Sequence, residues 1–171
     1  MSHAPTSFAR VYEEHVWRIY GFLAYRLRDR EAAEDLTQAT FERALRAWGR
    51  FDPRRGSEAT WLLAIARNQL IDYHRRDRSD RLVVIDADKL PASASPEPGG
   101  ALAEELAAAL AELSERDREV IALRFGADLT GPQIAQLLGL TLANVHQIIS
   151  RSLRRLKEQL DPAPPRVLER D

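Results

Sequence analysis

The sequence predicts an all-α protein made of two small helical domains joined by a flexible linker. Apolar residues recur at helical spacing on both sides of residues 79–100. The second half of that stretch is rich in Pro, Ser, Ala and Gly, which is typical of a linker. A length of 171 residues suits one domain or two small ones. We therefore expect a first domain over residues 8–78, a linker over 79–100, a second domain over 101–161 and a tail over 162–171.

The composition narrows the class of protein. The chain has no cysteine, which excludes disulfides and thiolate metal sites. No apolar run approaches the length of a membrane span, and the N-terminus lacks the basic start and apolar core of a signal peptide. We therefore expect a cytoplasmic protein without membrane insertion. Because the net charge is only −1, any contact with free DNA should be weak unless a partner assists it.

The sequence carries no signature of an enzyme or of a metal site. We find no activated nucleophile, no phosphate-binding loop and no Glu-x-x-His repeat. His15 lies beside the apolar stripe of the first predicted helix and has no metal-ligand partner at helical spacing. Asp72 and His74 form a short acid–His pair of a common, local kind. The prediction is a protein that is not an enzyme and that uses no metal or cofactor.

Two amphipathic helices are predicted at the start of the first domain. The apolar residues of segment 8–28 form one buried stripe. Asp29 is a suitable N-cap for a second helix, over about residues 30–48, whose inner face should include Leu45. Acidic residues in its N-terminal half suit the helix dipole. They form either a solvated face or a docking face for a basic partner.

A turn-rich loop, residues 49–58, leads to a third predicted helix over residues 59–76. The loop carries Arg54 and Arg55, and the helix interleaves Trp61 with arginine and asparagine. This combination is suited to stacking unpaired bases and neutralising phosphates. Alternatively, Trp61 is a core residue of an ordinary amphipathic helix, and the residues alone leave both interpretations open.

Residues 130–157 carry the clearest local motif, behind two short predicted helices over residues 101–113 and 115–125. Thr130 can cap a helix that Gly139 ends, and Thr141 can cap the helix that follows. Two helices joined by a short Gly-containing turn are typical of a helix-turn-helix. The second helix is expected to turn Leu153 and the rest of its apolar stripe inward. Its outer positions are polar or basic and can hydrogen-bond base edges or phosphates. The alternative is an ordinary helical hairpin with a solvated polar face.

Short motifs follow one another through the first domain. They are Ala-Glu-Asp-Leu-Thr-Gln at 33–38, Phe at 41, Trp at 48, Phe-Asp at 51–52, Trp-Leu at 61–62, Ile-Ala-Arg-Asn at 65–68, Asp at 72 and Arg-Arg at 75–76. In this combination residues 8–78 resemble region 2 of the extracytoplasmic-function (ECF) sigma factors, which are small alternative initiation factors of bacterial RNA polymerase.

The second domain is similar to region 4 of the same family. The matching positions are Leu-Ser at 113–114, Arg at 118, Val at 120, Leu at 123, Ile-Ala at 134–135, Leu-Gly at 138–139, Val at 145, Arg at 151 and Leu at 156. Gln133 departs from the glutamate that is usual before the Ile-Ala pair. His146 stands after the valine where a basic residue is frequent. These departures concern the promoter sequence that is read and leave the expected fold unchanged.

The resemblance implies a function and its site residues. The chain is expected to bind core RNA polymerase and to direct initiation at promoters whose −10 and −35 elements it reads. The residues expected to contact core polymerase are Asp35, Leu36, Gln38 and Phe41. Those expected at the −10 element are Arg54, Arg55, Trp61, Arg67, Asn68, Asp72, Arg75 and Arg76. Those expected at the −35 element are Asn144, His146, Gln147, Ser150, Arg151, Arg154 and Arg155.

The resemblance also implies an anti-sigma factor as a partner and association with the nucleoid when the chain is bound to polymerase. One alternative remains from another class of protein. A helix-turn-helix repressor with an N-terminal regulatory domain would bind operator DNA as a dimer and would not need polymerase. Binding to core polymerase separates the two functions.

Overall fold

The computed structural model describes residues 7–83 and 100–161, which form seven α-helices and no strand. The first three are α1 (Phe8–Arg26), α2 (Arg30–Ala47) and α3 (Glu58–Val83). The next four are α4 (Gly100–Ala111), α5 (Glu115–Ile121), α6 (Gly131–Leu138) and α7 (Leu142–Leu160). A 3-10 turn, Trp48–Arg50, follows α2, and a π-helical turn, Ala122–Gly126, follows α5. The predicted all-α class is confirmed.

The third helix is longer than the sequence predicted. It was expected to end near residue 76, but α3 continues to Val83, and α4 begins at Gly100. Residues 77–83 contain neither Pro nor Gly, so nothing in the backbone ends the helix there. The first five residues of the predicted linker, 79–83, are therefore helical. Residues 84–99 and the predicted tail, 162–171, lie outside the described part of the chain.

Helices α1, α2 and α3 form the first module. Asp29 caps α2 as predicted, because its carboxylate accepts from the backbone N–H groups of Glu31 at 2.9 Å and Ala32 at 3.4 Å. The fully buried side chains at its centre are Val11, Ile19, Leu23, Ala33, Ala44, Leu62, Leu63 and Ala66. Burying each large aliphatic side chain stabilises the fold by about 1.5–3 kcal/mol.

Helices α4 to α7 form the second module, in which Arg118 fixes the end of α4. Its guanidinium donates to the carbonyl oxygens of Leu110 at 3.0 Å, Ala111 at 2.9 Å and Leu113 at 3.1 Å. Two of these carbonyls, those of Leu110 and Ala111, belong to the last turn of α4, where a cation also suits the helix dipole. Ser114 then caps α5 by accepting from the N–H of Asp117 at 3.1 Å.

The helix-turn-helix is confirmed in α6 and α7. The N–H of Thr130 donates to the Gln133 side-chain oxygen at 2.9 Å, so Gln133 closes the first turn of α6. Gly139 ends α6 in a left-handed conformation with φ 66°, which glycine adopts without strain. Thr141 caps α7 by accepting from the N–H of Asn144 at 3.2 Å.

Two leucines that were expected to face the core are exposed. Leu45 on α2 is 57% exposed, and Leu153 on α7 is 44% exposed. At helical spacing, Ala44 and Ser152 occupy the inward positions beside them, and both are buried. The apolar periodicity therefore located the correct helix faces but assigned one residue too many to each.

The two modules pack directly on each other along a surface that we call the seam, between α1 and α3 on one side and α5, the π-helical turn and α6 on the other. The backbones of Gly21 and Gly126 meet there, so that a Cβ at Gly21 would lie 2.2 Å from the carbonyl oxygen of Gly126. Buried side chains from both sides form one cluster, which includes Phe22, Leu23, Leu63, Val120, Leu123 and Leu129. The sequence predicted two tethered domains and nothing about this contact.

The π-helical turn brings Gly126 to the seam. The N–H of Ala127 donates to the carbonyl oxygen of Ala122 at 3.0 Å, five residues back, instead of four. The wider turn displaces the chain from the path of α5. Gly126 thereby faces Gly21, where both residues need to lack a side chain.

Candidate nucleic-acid and polymerase interfaces

The outer face of α7 presents all seven residues that were predicted to read the −35 element. Each is exposed: Asn144, His146, Gln147, Ser150, Arg151, Arg154 and Arg155. Asn144, Gln147, Arg151 and Arg154 follow one another at intervals of three and four residues, so they form a single stripe along the helix. This stripe is amide-rich at the N-terminal end of α7 and arginine-rich further along.

Arg151 is engaged within the second module. One of its terminal nitrogens lies 2.9 Å and 3.1 Å from the two carboxylate oxygens of Asp117, which is buried. The Arg151 side chain is 51% exposed, so its other nitrogens still face solvent. Sequence reasoning missed Asp117, because the pair joins residues that are 34 positions apart.

His146 packs close to the start of α6. A Cβ at Gly131 would lie 2.9 Å from the Nε2 atom of His146 and 2.9 Å from a methyl group of Leu142. A side chain at position 131 would therefore displace the ends of the His146 and Leu142 side chains. His146 lies on the edge of the −35 face that adjoins α6, beside the stripe of Asn144 and Gln147.

The outer face of α3 presents part of the predicted −10 set. Asn68, Arg75 and Arg76 are exposed, and Asp72 is half-buried with an ion pair to Arg75 at 3.2 Å. Ile71, which was not predicted, is 60% exposed on the same face. Its position off the apolar stripe of α3 was a usable signal in the sequence.

Arg54 and Arg55 are exposed in the loop between α2 and α3. The side chain of Asp52 accepts from the N–H of Arg54 at 3.0 Å, and its carbonyl accepts from the N–H of Arg55 at 3.0 Å. Asp52 thus folds the loop into a tight turn and directs both arginines outward.

Trp61 belongs to a cluster of three rings. Trp48 stacks on Phe51 with ring centroids 5.2 Å apart and an angle of 7°, and Trp61 lies 5.2 Å from Phe51 and 5.9 Å from Trp48. The three rings are half-buried. Trp61 is thus neither a plain core residue nor a fully exposed one.

A cavity of about 400 Å³ opens beside these rings; we call it the ring cavity. Residues of the first module line most of it, including Phe51, Trp61, Arg50 and Arg55. Residues Gln136 and Leu137 of α6 line the opposite side. Flat aromatic surfaces next to arginines provide the contacts that an unpaired base and its phosphate need. The sequence indicated Trp61 and Arg55 but not Arg50 or the α6 side of the cavity.

Arg67, another predicted −10 residue, lies in the seam. Its Nε atom donates to Glu119 of α5 at 2.7 Å, and both side chains are at least 70% buried. Next to this pair, Arg26 of α1 donates to the backbone carbonyl of Glu115 at 2.8 Å. Burial lowers the pKa of the Arg26 guanidinium despite the nearby Glu119 and Glu115 carboxylates. Neither glutamate was indicated by the sequence.

The predicted polymerase-binding face on α2 is only partly exposed. Asp35 and Gln38 face solvent, and Leu36 is half-buried. Phe41 is only 5% exposed and packs edge-on against Tyr12 with ring centroids 4.8 Å apart. The expectation that Phe41 forms part of the surface is therefore corrected: Phe41 is a core residue that packs α2 against α1. Leu45 extends the Asp35–Gln38 stripe by two turns, at a position that was expected to be buried.

Comparison with known proteins places this arrangement in a family. Models of Sigma-70 region 2 and Sigma-70 region 4 match residues 11–80 and 109–158. The RNA polymerase sigma factor CarQ of Myxococcus xanthus is 32% identical over 160 residues, which are 92% of this chain and 91% of CarQ. The chain belongs to the ECF RNA polymerase sigma factor family.

A second relative agrees with this assignment, and a solved structure agrees with the fold. The ECF RNA polymerase sigma factor BldN of Streptomyces coelicolor is 31% identical over 160 residues, which are 90% of this sigma factor but 60% of BldN. The fold is similar to that of the sigma factor RpoE in its complex with the anti-sigma factor NepR from Bartonella quintana. That match has a TM-score of 0.75 at 23% identity and covers 92% of this chain and 98% of RpoE.

Charged groups of this sigma factor also meet between α1 and α3, where no partner for His15 was expected from helical spacing. The Nε2 atom of His15 lies 3.4 Å from Glu58, and one ligand atom from each of Glu14, His15 and Glu58 falls within 4.8 Å of the others. Arg10 contacts both carboxylates, at 2.5 Å and 3.3 Å, so a protein cation already pairs with each of them. The group is best described as an ion-pair network that joins α1 to α3.

Among the helices that the structure describes, none combines the length and the apolar character needed to cross a bilayer.

Proposed function

We propose that this chain directs promoter-specific initiation by bacterial core RNA polymerase, reading the −10 element with residues 8–78 and the −35 element with residues 101–161. The observation that carries the proposal is the ring cavity. A repressor of duplex operator DNA has no use for an arginine-flanked aromatic cavity. An initiation factor needs one, because it holds an unpaired base.

The ring cavity is suited to strand opening. Unstacking and unpairing a base costs a few kcal/mol. Stacking one base on an aromatic side chain returns about 1–3 kcal/mol, and arginines add contacts to the phosphates. Phe51 and Trp61 supply the rings, and Arg50 and Arg55 supply the cations that line the cavity. Arg54 and Arg67 are proposed to contact the strand outside the cavity. Asn68, Asp72, Arg75 and Arg76 of α3 extend the same surface along the single strand.

The exposed stripe of α7 is suited to a major groove. Asn144 and Gln147 carry amides that can pair with adenine, and Ser150 and His146 flank them. Arg154 and Arg155 are positioned for phosphates. Arg151 has a split role: Asp117 holds one nitrogen, and the remaining donors face the DNA. The pair orients Arg151 and removes the freedom that an unpaired arginine would lose on binding.

Core polymerase is proposed to bind the α2 face of Asp35, Leu36 and Gln38, to which we add Leu45. An exposed leucine at the end of a polar stripe is the kind of residue that supplies apolar contact area in an interface. An anti-sigma factor is proposed as a second partner, in keeping with the family. The protein acts by binding and not by catalysis, and we place it in the cytoplasm, on the nucleoid when it is bound to polymerase.

The test combines binding with strand opening. The purified chain and core polymerase should elute together from a sizing column, and the complex should initiate on promoter DNA. Trp61→Ala should reduce permanganate reactivity of the −10 thymines, whereas Trp17→Ala, at a tryptophan that is 77% exposed and outside the ring cavity, should not. A chain that ignores core polymerase and shifts duplex DNA alone would be a repressor.

A further inference from the structure

Ile71 of α3 is a large apolar side chain that the first module hardly uses for its own folding. It is 60% exposed, whereas the adjacent Leu70 is 3% exposed and occupies the inward position. An apolar side chain stabilises a fold in proportion to the area that it buries, so Ile71 contributes little. A single exposed apolar residue is common on protein surfaces, and its neighbours decide whether it has a use.

The neighbours of Ile71 along α3 are side chains of the kinds that contact nucleic acids. Helical spacing places four of them on the same side of the helix: Arg67, Asn68, Arg75 and Arg78. Arg75 pairs with Asp72 at 3.2 Å, but its side chain is still 75% exposed. Leu45, which is 57% exposed, has different surroundings, because the residues at helical spacing from it are Phe41, Glu42, Trp48 and Gly49. Ile71 is thus an apolar residue within a surface that attracts a phosphate backbone.

The side chain of Ile71 can itself bind only an apolar group, because it has no hydrogen-bond donor or acceptor. Base edges in the grooves of DNA are polar except for the C5 methyl group of thymine. The face of an unpaired base is also apolar, but flat aromatic side chains suit it better, and Phe51 and Trp61 already provide them in the ring cavity. The chemistry therefore favours a thymine methyl group as the group that Ile71 contacts.

The position of Ile71 separates this contact from the ring cavity. Trp61 and Ile71 both belong to α3 and are ten residues apart, which corresponds to about 15 Å along the helix axis. A DNA strand that follows α3 with the ordinary spacing of about 3.4 Å per nucleotide covers this distance in about four nucleotides. Ile71 and the ring cavity would therefore contact different bases of one promoter element.

We propose that Ile71 recognises one thymine of the −10 element through its methyl group, while Asn68 and Arg75 hold the strand on either side of the contact. This inference rests on the function proposed above for the first module, and it adds a base-specific contact to that function. A β-branched side chain has one strongly preferred χ1 rotamer in a helix. Ile71 therefore loses little conformational freedom when it packs against the methyl group.

The first experiment determines which bases the protein prefers. The full chain is assembled with core polymerase, and the complex selects promoters from a DNA library that is randomised over the −10 element. The wild type should select thymine at one position where Ile71→Ala selects no particular base, and the other preferred positions should be the same for both. Ile71→Val keeps the branched Cβ and should keep the preference. Leu153→Ala, which truncates a leucine that is 44% exposed on α7, is the matched control and should also keep it.

The second experiment removes the methyl group from the DNA instead of the side chain from the protein. Deoxyuridine replaces each thymine of the selected −10 element in turn, which deletes the methyl group and keeps every hydrogen-bonding group of the base. At one position the replacement should weaken promoter binding by the wild-type complex about fourfold, the loss expected when one methyl group is no longer buried. The Ile71→Ala complex should bind the thymine and uracil promoters equally, because the contact is already lost.

Three results would overturn the inference. In the first, uracil weakens the wild-type and Ile71→Ala complexes by the same factor at every position. In the second, Ile71→Ala slows strand opening whether or not the methyl group is present, and a promoter with a mismatched, already open −10 element removes the defect; Ile71 would then be a wedge between bases. In the third, Ile71→Ala weakens binding to core polymerase and leaves the base preference unchanged, which would make Ile71 a protein contact.

Failure of this inference can be distinguished from failure of the proposed function. If the wild-type complex selects no promoter, the sigma function fails, and the role of Ile71 fails with it. If the complex selects a −10 element in which no thymine methyl group is coupled to Ile71, the sigma function stands and the role of Ile71 fails alone. Denaturant unfolding of Ile71→Ala should match the wild type, since the side chain is mostly exposed.

Discussion

The carboxylate of Asp117 is held by a single nitrogen of Arg151, at 2.9 Å and 3.1 Å from its two oxygens. The pair joins α5 to α7 and is buried on the aspartate side only. Arg151, which lies on the proposed DNA-reading face, therefore also helps to hold α7 against α5.

We expect Arg151→Ala to have two effects. Loss of the partner leaves the Asp117 carboxylate buried, which should lower the free energy of unfolding by about 1–3 kcal/mol. Loss of the remaining donors should weaken −35 binding. The double variant Asp117→Asn with Arg151→Ala should recover most of the stability without recovering binding. Denaturant unfolding and promoter titration of the three chains separate the two effects. Equal stability of the single and double variants would contradict the supporting role.

Leu45→Ser should weaken core polymerase binding about tenfold, the loss expected when an interface contact of about 1.4 kcal/mol is removed. The free energy of unfolding should change little, because the side chain is mostly exposed. Leu153→Ser is the matched control: the leucine is also exposed, but it lies on α7, away from the α2 face. Binding is measured by competition for labelled core polymerase. If both variants bind core polymerase equally well, Leu45 is not part of the interface.

Gln133→Ala should destabilise the second module by about 0.5–2 kcal/mol, because the N–H of Thr130 loses its acceptor. Gln133→Glu should retain the cap, since a carboxylate accepts from the same N–H and also suits the positive end of the helix dipole. Thermal unfolding of the three chains gives the comparison. A glutamate variant as unstable as the alanine variant would mean that the amide nitrogen, and not the oxygen, matters.

Acidification should destabilise the folded chain through His74. Burial in the seam lowers the pKa of His74 from its ordinary value of 6.5, and the positive charge of Arg26 lowers it further. Below about pH 6.5 the unfolded chain takes up a proton that the folded chain resists, so stability is lost as the pH falls. His74→Gln should remove this part of the pH dependence between pH 7.5 and 5.5. His146→Gln should keep it, because His74 is intact. Urea unfolding across that range gives the comparison.

The helix-turn-helix was predictable because its signals are local. Thr130, Gly139 and Thr141 each act within one turn of their own position, through a cap or a left-handed φ. The same holds for Asp29 at the start of α2. Each of these residues does in the structure what its type and position indicated. The sequence analysis missed only that Gln133 completes the cap at Thr130 by accepting from its N–H.

The errors arose where a neighbouring helix decides the outcome. The apolar pattern of α2 cannot show that Phe41 faces Tyr12 while Leu45 faces solvent, because residues four positions apart differ by only about 40° around the helix. The seam was out of reach for a stronger reason. Gly21 and Gly126 are 105 positions apart, and neither carries a side chain from which a partner can be inferred. Glu119 and Asp117 were missed for the same reason, since their importance comes only from Arg67 and Arg151.

The order of the helices along the chain has a consequence during synthesis. Helix α6, which provides one side of the ring cavity, is synthesised after all of α3. At about 5–20 residues per second, the ribosome needs roughly 3–11 s to add residues 84–138. During that interval the ring cavity lacks the side that Gln136 and Leu137 provide, so the rings of Phe51 and Trp61 are more open on the nascent chain than in the folded protein. We expect stray single strands to reach these rings more easily until α6 is synthesised and packs beside them.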